Sequence, residues 1–239
     1  MPISDHFAHV VADRVAEVRE RIVAAQGRGG HGQTVSLVAV TKTHGPDAVN
    51  AAYHAGVFDV GENRVQEAER KMAQVTVPVR WHLIGHLQRN KARSATQFAL
   101  VHGMDSERLA VALDAAALGA GVVLNVLLQV NASGEATKSG ITPDEVPLMA
   151  ERLHLLRHLH VVGAMTMAPF DAGESVLRRV FSECRRARDL LAAAGLPSTH
   201  LSMGMSGDYE IAVEEGATHV RLGTVLFGSR TQFPSRSLE

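Results

Sequence analysis

Residues 35–42 read VSLVAVTK, a short apolar run that ends in threonine and lysine. Comparable runs recur along the chain, and each is followed by a longer segment whose apolar residues repeat at helical spacing. The runs are almost continuously hydrophobic, as expected for strands of a parallel sheet that is covered on both faces. This pattern predicts repeated βα units. The eight predicted strands span residues 35–41, 57–60, 80–84, 98–102, 122–130, 160–165, 199–201 and 219–222.

The segments between these strands complete the predicted fold. The predicted helices span residues 4–25, 47–55, 64–74, 88–96, 106–118, 143–155, 174–194 and 208–215, with a last turn that begins near Thr224. Eight strands alternating with helices favour a single α/β domain, a (β/α)₈ barrel of the TIM type with an extra N-terminal helix. An open, doubly wound sheet is the alternative. We expect one domain over residues 1–239, with the N-terminal helix and a Gly-rich linker (GRGGHG, 27–32) in residues 1–32 and the barrel in residues 33–230.

Composition restricts the classes of function. The chain has 24 Lys plus Arg against 25 Asp plus Glu, a net charge of −1, which argues against nucleic-acid or membrane-surface binding. Only one cysteine, Cys184, is present, so no disulfide can form within the chain. The first ten residues lack an export signal, and the most apolar stretch, 121–130, is much shorter than the roughly 20 residues of a membrane span. These features predict a cytoplasmic protein.

Loops after the carboxyl ends of barrel strands carry the reactive groups of such folds, and Lys42 holds the first of these positions. A lysine whose stem lies against apolar walls has a lowered pKa and can form a Schiff base. A solvated surface lysine is the alternative. Asn63 follows the second strand within Gly61-Glu62-Asn63, where a simple helix cap also explains it.

Two C-terminal segments predict a phosphate site. Residues 202–208 (SMGMSGD) and 221–224 (RLGT) each lead from a strand through Gly and Ser or Thr towards a helix start, where backbone N–H groups favour anions. Two ordinary capped helices are the alternative, and Asp208 and Glu210 would repel phosphate unless they point outward. A lysine and a phosphate site together suit either pyridoxal 5′-phosphate (PLP) or a sugar phosphate. Arg221 favours PLP, because its guanidinium could approach a pyridine nitrogen.

The sequence also resembles a known family, the pyridoxal phosphate homeostasis proteins, whose fold is similar to the N-terminal barrel of alanine racemase. The segments that carry the resemblance are LVAVTK (37–42), VGENRVQEAERK (60–71), WHLIGHLQRNK (81–91), LQVNASGEATKSGI (128–141) and LSMGMSGDYEIAVEEGATHVRLGTVLFGSR (201–230). The resemblance implies that Lys42 forms an aldimine with PLP and that Asn63 lies beside the ring. It further implies that Ser206, Gly223 and Thr224 hold the phosphate and that Arg221 faces the ring nitrogen.

The implied function is a PLP carrier that acts in intracellular PLP homeostasis without efficient catalysis, with PLP-dependent apo-enzymes as possible partners. The alternative is a Schiff-base enzyme, either a weak amino-acid racemase or a sugar-phosphate aldolase. No catalytic residue is assigned, and no metal is expected, although Glu151, His154 and His158 have the spacing of a helical metal site. Lys138 is a candidate second aldimine site, and His86 receives no role.

Overall fold

The computed structural model describes residues 5–135 and 139–228 of the 239-residue chain. Within these residues the strands are β1 (Ser36–Val40), β2 (Asp59–Glu62), β3 (Arg80–Leu83), β4 (Leu100–Met104), β5 (Leu124–Gln129), β6 (Leu159–Met165), β7 (His200–Ser202) and β8 (His219–Leu222). The helices are α1 (Asp5–Gly29), α2 (Pro46–His54), α3 (Val65–Met72), α4 (Ala92–Ala95), α5 (Glu107–Ala120), α6 (Val146–Leu153), α7 (Glu174–Ala193), α8 (Tyr209–Glu214) and α9 (Thr224–Phe227).

The eight strands form a closed parallel barrel in the order of the chain. Strand β1 pairs with β2 on one side and with β8 on the other, so that Val38 lies opposite both Asp59 and Arg221. The predicted (β/α)₈ barrel with its extra N-terminal helix is therefore confirmed. All eight predicted strands are present, with boundaries shifted by two residues at most.

The main apolar core lies between the strands and the surrounding helices, where Val, Leu and Ala side chains of both layers are buried. A second, small apolar cluster of Leu100, Leu127 and Met165 is separate from it. Buried polar side chains, among them His82, His102, Ser202 and Arg221, form hydrogen bonds across the barrel interior. The fold therefore combines an apolar shell with a partly polar interior.

Helix α1 is longer than the sequence pattern predicts. It continues through Gly29, so residues 27–29 of the predicted linker are helical. The lack of a side chain at Gly29 permits this course, because a Cβ there would lie 2.5 Å from the carbonyl oxygen of Glu214 on α8. Arg28 adds an ion pair to the same glutamate at 2.5 Å. The helix ends where Gly30 adopts a left-handed conformation with φ of 69°, whereas the close approach of α1 to α8 explains the glycine at position 29.

Two predicted helices begin with short 3₁₀ segments, Arg89–Lys91 before α4 and Pro143–Glu145 before α6. Thr142 and Glu145 form a capping box at the start of the second segment. None of the helices in the described part of the chain is both long and apolar enough to cross a membrane.

Candidate functional site

Three adjacent strands bring the first candidate residues together at the carboxyl end of the barrel. The β1–β2 register pairs Val40 with Gly61, and the Thr41 N–H donates to the Gly61 carbonyl oxygen at 3.1 Å, so the loop that contains Lys42 begins next to the loop that contains Asn63. On the other side, the β1–β8 register pairs Ala39 with Leu222, so the continued offset sets Val40 beside Gly223. Lys42 therefore lies between the segments that carry Asn63 and Gly223.

Lys42 differs from the sequence expectation in one respect. Its side chain is exposed in the structure, whereas the position after a buried strand predicts a stem held against apolar walls. Burial ends one residue earlier, at Thr41, because β1 itself ends at Val40 and the chain turns at the open mouth. The next residue, Thr43, has φ of 66°, a left-handed conformation that is rare for a β-branched residue.

Asn63 is half-buried and is not the helix cap that the simpler interpretation of the sequence suggests. The N-cap of α3 is Arg64, and no side chain caps this helix. The backbone of Asn63 instead packs closely against Gly85, where a Cβ would lie 2.4 Å from the Asn63 carbonyl oxygen. This contact ties the loop after β2 to the loop after β3.

The residues predicted to hold phosphate are also neighbours. The hydroxyl of Ser206 accepts a hydrogen bond from the backbone N–H of Val225 at 3.3 Å, which joins the loop after β7 to α9. Gly223 lies against β1, since a Cβ on it would be 3.3 Å from the Val40 carbonyl oxygen. Thr224 is the first residue of α9. The loops after β7 and β8 and the end of β1 thus meet at one point of the mouth.

The two acidic residues beside this point are held by other partners. The Asp208 carboxylate accepts a hydrogen bond from the Met205 N–H at 2.6 Å, and burial raises the pKa of Asp208. Glu210 points towards α1, where it pairs with Arg21 at 3.5 Å and Arg28 at 3.3 Å. The expected conflict with phosphate is thereby relieved for Glu210 and reduced for Asp208.

Arg221 is buried below the mouth. Its guanidinium donates to the Ser202 hydroxyl at 2.6 Å and to the Thr166 carbonyl oxygen at 3.0 Å. Burial lowers the pKa of Arg221 to about 10, which still leaves the group charged at pH 7. The guanidinium is therefore a fixed positive charge, and its orientation is set by Ser202 on β7 and by Thr166, which follows β6.

A hydrogen-bonded chain continues from Arg221 across the barrel. The Ser202 hydroxyl lies 2.8 Å from His102 Nδ1, and His102 Nε2 lies 2.9 Å from His82 Nδ1. His82 Nε2 is in turn 2.9 Å from the Asp59 carboxylate. Because Ser202 lies on β7 and His102 on β4, which are not adjacent, these side chains must point into the barrel interior.

One consistent assignment of donors runs along this chain. Arg221 can only donate to Ser202, which leaves the Ser202 hydroxyl to donate to His102 Nδ1, His102 Nε2–H to donate to His82 Nδ1, and His82 Nε2–H to donate to the Asp59 carboxylate. Burial lowers the pKa of His102 well below its usual value, which agrees with this neutral form. Sequence reasoning missed the chain, although polar residues at positions 82 and 102 within apolar strands were the available signal.

The other candidates that the structure describes do not join the site. His86 is exposed and contacts Asp105 at 3.1 Å, and Lys138 lies outside the described residues. The His154 ring bonds the Ala194 carbonyl oxygen at 2.6 Å, while His158 faces Asp114 at 3.7 Å. Across residues 5–135 and 139–228, no group of three His, Cys, Asp or Glu side chains has the arrangement of a metal site.

Comparison with known proteins identifies relatives of this chain. The family model of the alanine racemase N-terminal domain matches residues 14–231. The pyridoxal phosphate homeostasis protein of Pseudomonas aeruginosa is 43% identical over 223 residues, which cover 92% of this chain and 96% of that protein. The chain belongs to the pyridoxal phosphate homeostasis protein family. A relative of the same name from Aquifex aeolicus is 39% identical over 91% of this chain and 97% of its own length.

Solved structures match this chain over most of its length. The structure of PipY from Synechococcus elongatus with PLP bound has a TM-score of 0.80 and 37% identity, and the match covers 91% of this chain and all of PipY. Alanine racemase from Corynebacterium glutamicum has a TM-score of 0.72 at 17% identity. That match covers 97% of this chain and 64% of the racemase, and it shows the fold alone.

Proposed function

We propose that this chain binds PLP covalently through Lys42 and carries it in the cytoplasm for delivery to PLP-dependent apo-enzymes, without efficient catalysis. The observation that supports the proposal is the register of three adjacent strands, which brings the loops that carry Lys42, Asn63 and Gly223 to the same end of the barrel. Two relatives named for PLP homeostasis and a PLP-bound relative support the choice of ligand.

The available donors match the chemistry of PLP. The Lys42 amine can add to the aldehyde carbon, with loss of water, to form a Schiff base. The Ser206 and Thr224 hydroxyls and the close backbone at Gly223 suit a phosphate group, since small residues allow main-chain N–H groups to approach an anion. Asn63 would lie beside the ring, and Arg221 would face its nitrogen. The residues present therefore fit the cofactor.

Two features favour carriage over catalysis. When bound, PLP supplies an electron sink that depends on a protonated ring nitrogen, and the fixed charge of Arg221 disfavours that protonation. Racemisation also needs a second proton donor opposite Lys42, which in alanine racemases is a tyrosine. The chain has two tyrosines. Tyr53 packs against Phe58. Tyr209 is buried on α8 and interacts electrostatically with Arg21 and Glu210. Neither tyrosine is therefore suited to that role.

Chemical trapping tests the covalent attachment. Borohydride reduction of the PLP-loaded protein followed by peptide mapping should find the pyridoxyl group on Lys42. Lys42→Ala should abolish the visible absorbance of the Schiff base while leaving the circular dichroism spectrum unchanged, because an exposed lysine contributes little to the core. Lys91→Ala is the matched control and should retain the absorbance. Recovery of the label mainly on Lys91 or Lys138 would contradict the assignment.

Transfer and turnover tests separate a carrier from an enzyme. The loaded protein should restore activity to a PLP-dependent apo-enzyme and should show negligible turnover with alanine or serine. Racemisation at typical enzyme rates of roughly 1 to 10³ s⁻¹ would refute the carrier function and favour the racemase alternative. Turnover of a sugar phosphate without a visible absorbance band would favour the aldolase.

A further inference from the structure

Segment 60–71, VGENRVQEAERK, contains three charged side chains that meet beneath the backbone around Lys42. The Lys71 ammonium donates to the Glu62 carboxylate at 2.7 Å and to the Glu67 carboxylate at 2.9 Å. It also donates to the main-chain carbonyl oxygen of Thr41 at 2.6 Å. Lys71 on α3 is therefore bonded to the residue that precedes Lys42.

The same cluster holds both neighbours of Lys42. On the preceding side, the Thr41 hydroxyl donates to Glu62 at 2.5 Å. On the following side, the Thr43 backbone N–H donates to Glu67 at 2.6 Å. Thr43 has φ of 66°, a conformation that its β-branched side chain disfavours, so an external partner is needed to keep it there.

The cluster is placed where its electrostatic cost is high. Glu62 is completely buried and Lys71 is 6% exposed, and one carboxylate oxygen of Glu62 lacks a hydrogen-bond partner. Buried ion pairs contribute little net stability compared with well-packed apolar side chains, because both charges lose their hydration. A specific geometric task is therefore a better explanation for these charges than stability.

We propose that Glu62, Glu67 and Lys71 are positioning residues that fix the backbone of residues 41–43 and so direct the Lys42 amine into the barrel mouth. None of the three is assigned a contact with the ligand. The proposal rests on the proposed function, because it assigns these residues to the covalent step at Lys42. It predicts that their loss impairs the reaction of the amine more than it impairs recognition of the phosphate.

Two ligands separate these effects. PLP can react with Lys42, whereas pyridoxine 5′-phosphate carries the same ring and phosphate but has an alcohol in place of the aldehyde. Glu67→Ala should form the Schiff base at least about 10-fold more slowly than the unmodified protein, since misplacement of a reacting group by about 1 Å can cost up to 100-fold. Its dissociation constant for pyridoxine 5′-phosphate should stay within about twofold, because the Ser206–Val225 contact is distant in the sequence and made by other elements.

Three further variants make the test specific. Glu67→Gln keeps an oxygen that can accept from Thr43 and should recover most of the rate. Glu69→Ala removes an exposed glutamate from the same helix and should leave the rate unchanged. Lys71→Met should slow the reaction as Glu67→Ala does. If Lys71→Met does not fold, the comparison of the two Glu67 variants still decides the question.

Amide exchange of the ligand-free protein supplies a readout that does not depend on PLP. Hydrogen–deuterium exchange of the Thr43 N–H should be faster in Glu67→Ala than in Glu69→Ala, because only the first variant removes its acceptor. Unchanged exchange together with an unchanged rate of Schiff base formation would overturn the proposal. Equal losses for PLP and pyridoxine 5′-phosphate would also overturn it, because they would indicate a general structural role. Failure of the unmodified protein to label Lys42 would instead refute the proposed function.

Discussion

Acidification should destabilise this protein already between pH 6.5 and pH 5, above the pH at which carboxylates usually titrate, because histidines are buried in the barrel. Burial, with the neighbouring imidazoles and Arg221 contributing, lowers the pKa of His102 well below its usual value. Burial also lowers the pKa of His219 to about 3. In the unfolded chain both groups bind protons near pH 6.5. The stability that they contribute in neutral form is therefore complete above pH 6.5 and is lost as the pH falls below it.

The size of the loss in stability follows from the width of the pH interval over which these histidines stay neutral only in the folded state. Between pH 6.5 and pH 5, each histidine that stays neutral only in the folded state costs about 2 kcal/mol, since one pH unit corresponds to about 1.4 kcal/mol. His219 alone should therefore lower the free energy of unfolding by about 2 kcal/mol between pH 7 and pH 5, and His102 and His200, whose pKa values are also lowered by burial, should add to this loss. For a chain of this length, a loss of about 2 kcal/mol lowers the melting temperature by roughly 4 to 8 °C.

Two acidic groups have to be separated from this effect. Asp59 has a pKa lowered by its hydrogen bonds to His82 and Arg80 despite burial, so its contribution is lost only below about pH 4. Burial raises the pKa of Glu62, so this group takes up a proton earlier in the folded state and partly offsets the loss as the pH falls. Both groups remain in a histidine variant, so a comparison of variants cancels them.

Urea unfolding of the ligand-free protein at pH 7, 6 and 5, followed by circular dichroism, measures the change. His219→Gln should reduce the loss between pH 7 and pH 5 by about 2 kcal/mol. His6→Gln, at an exposed position of α1, should leave the loss unchanged. The reasoning is refuted if the unmodified protein loses less than about 1 kcal/mol over this interval, or if His219→Gln loses as much as the unmodified protein.

Other substitutions test the loops and the interior of the barrel. Ser202→Ala removes the partner of two buried groups and should lower the free energy of unfolding by about 2 to 4 kcal/mol in urea titrations. The control Ser198→Ala, which loses one bond to a main-chain carbonyl, should cost only about 1 kcal/mol. Gly204→Ala should cost about 1 to 3 kcal/mol, measured in the same way, because its φ is 92° and the new Cβ would lie 2.6 Å from the Ala212 Cβ. Ser206→Ala should weaken PLP binding in titrations by roughly 10- to 100-fold and leave the binding of pyridoxal unchanged; equal weakening of both ligands would contradict the phosphate assignment.

The sequence by itself determined the architecture of this protein. Strands and helices have local periodicities, and eight of each in alternation leave the closed barrel as the preferred arrangement. The order of the strands then decides which loops share the mouth. For this reason the sequence assigns Lys42 and Gly223 to loops at the same end of the barrel, whereas Asn63 joins them through the family resemblance, and the roles of all three towards PLP stay predictions.

Only the tertiary structure decided which side chains meet. Periodicity tells which face of a strand a residue occupies, but the partner across the barrel depends on closure and register, so the contact between His102 and Ser202, 100 residues apart, has no local signal. The exposure of Lys42 and the bond from Thr43 to Glu67 likewise depend on where β1 ends relative to α3. Local sequence specifies the elements because their hydrogen bonds and apolar spacing are short-range, whereas the interior contacts arise from the packing of distant segments.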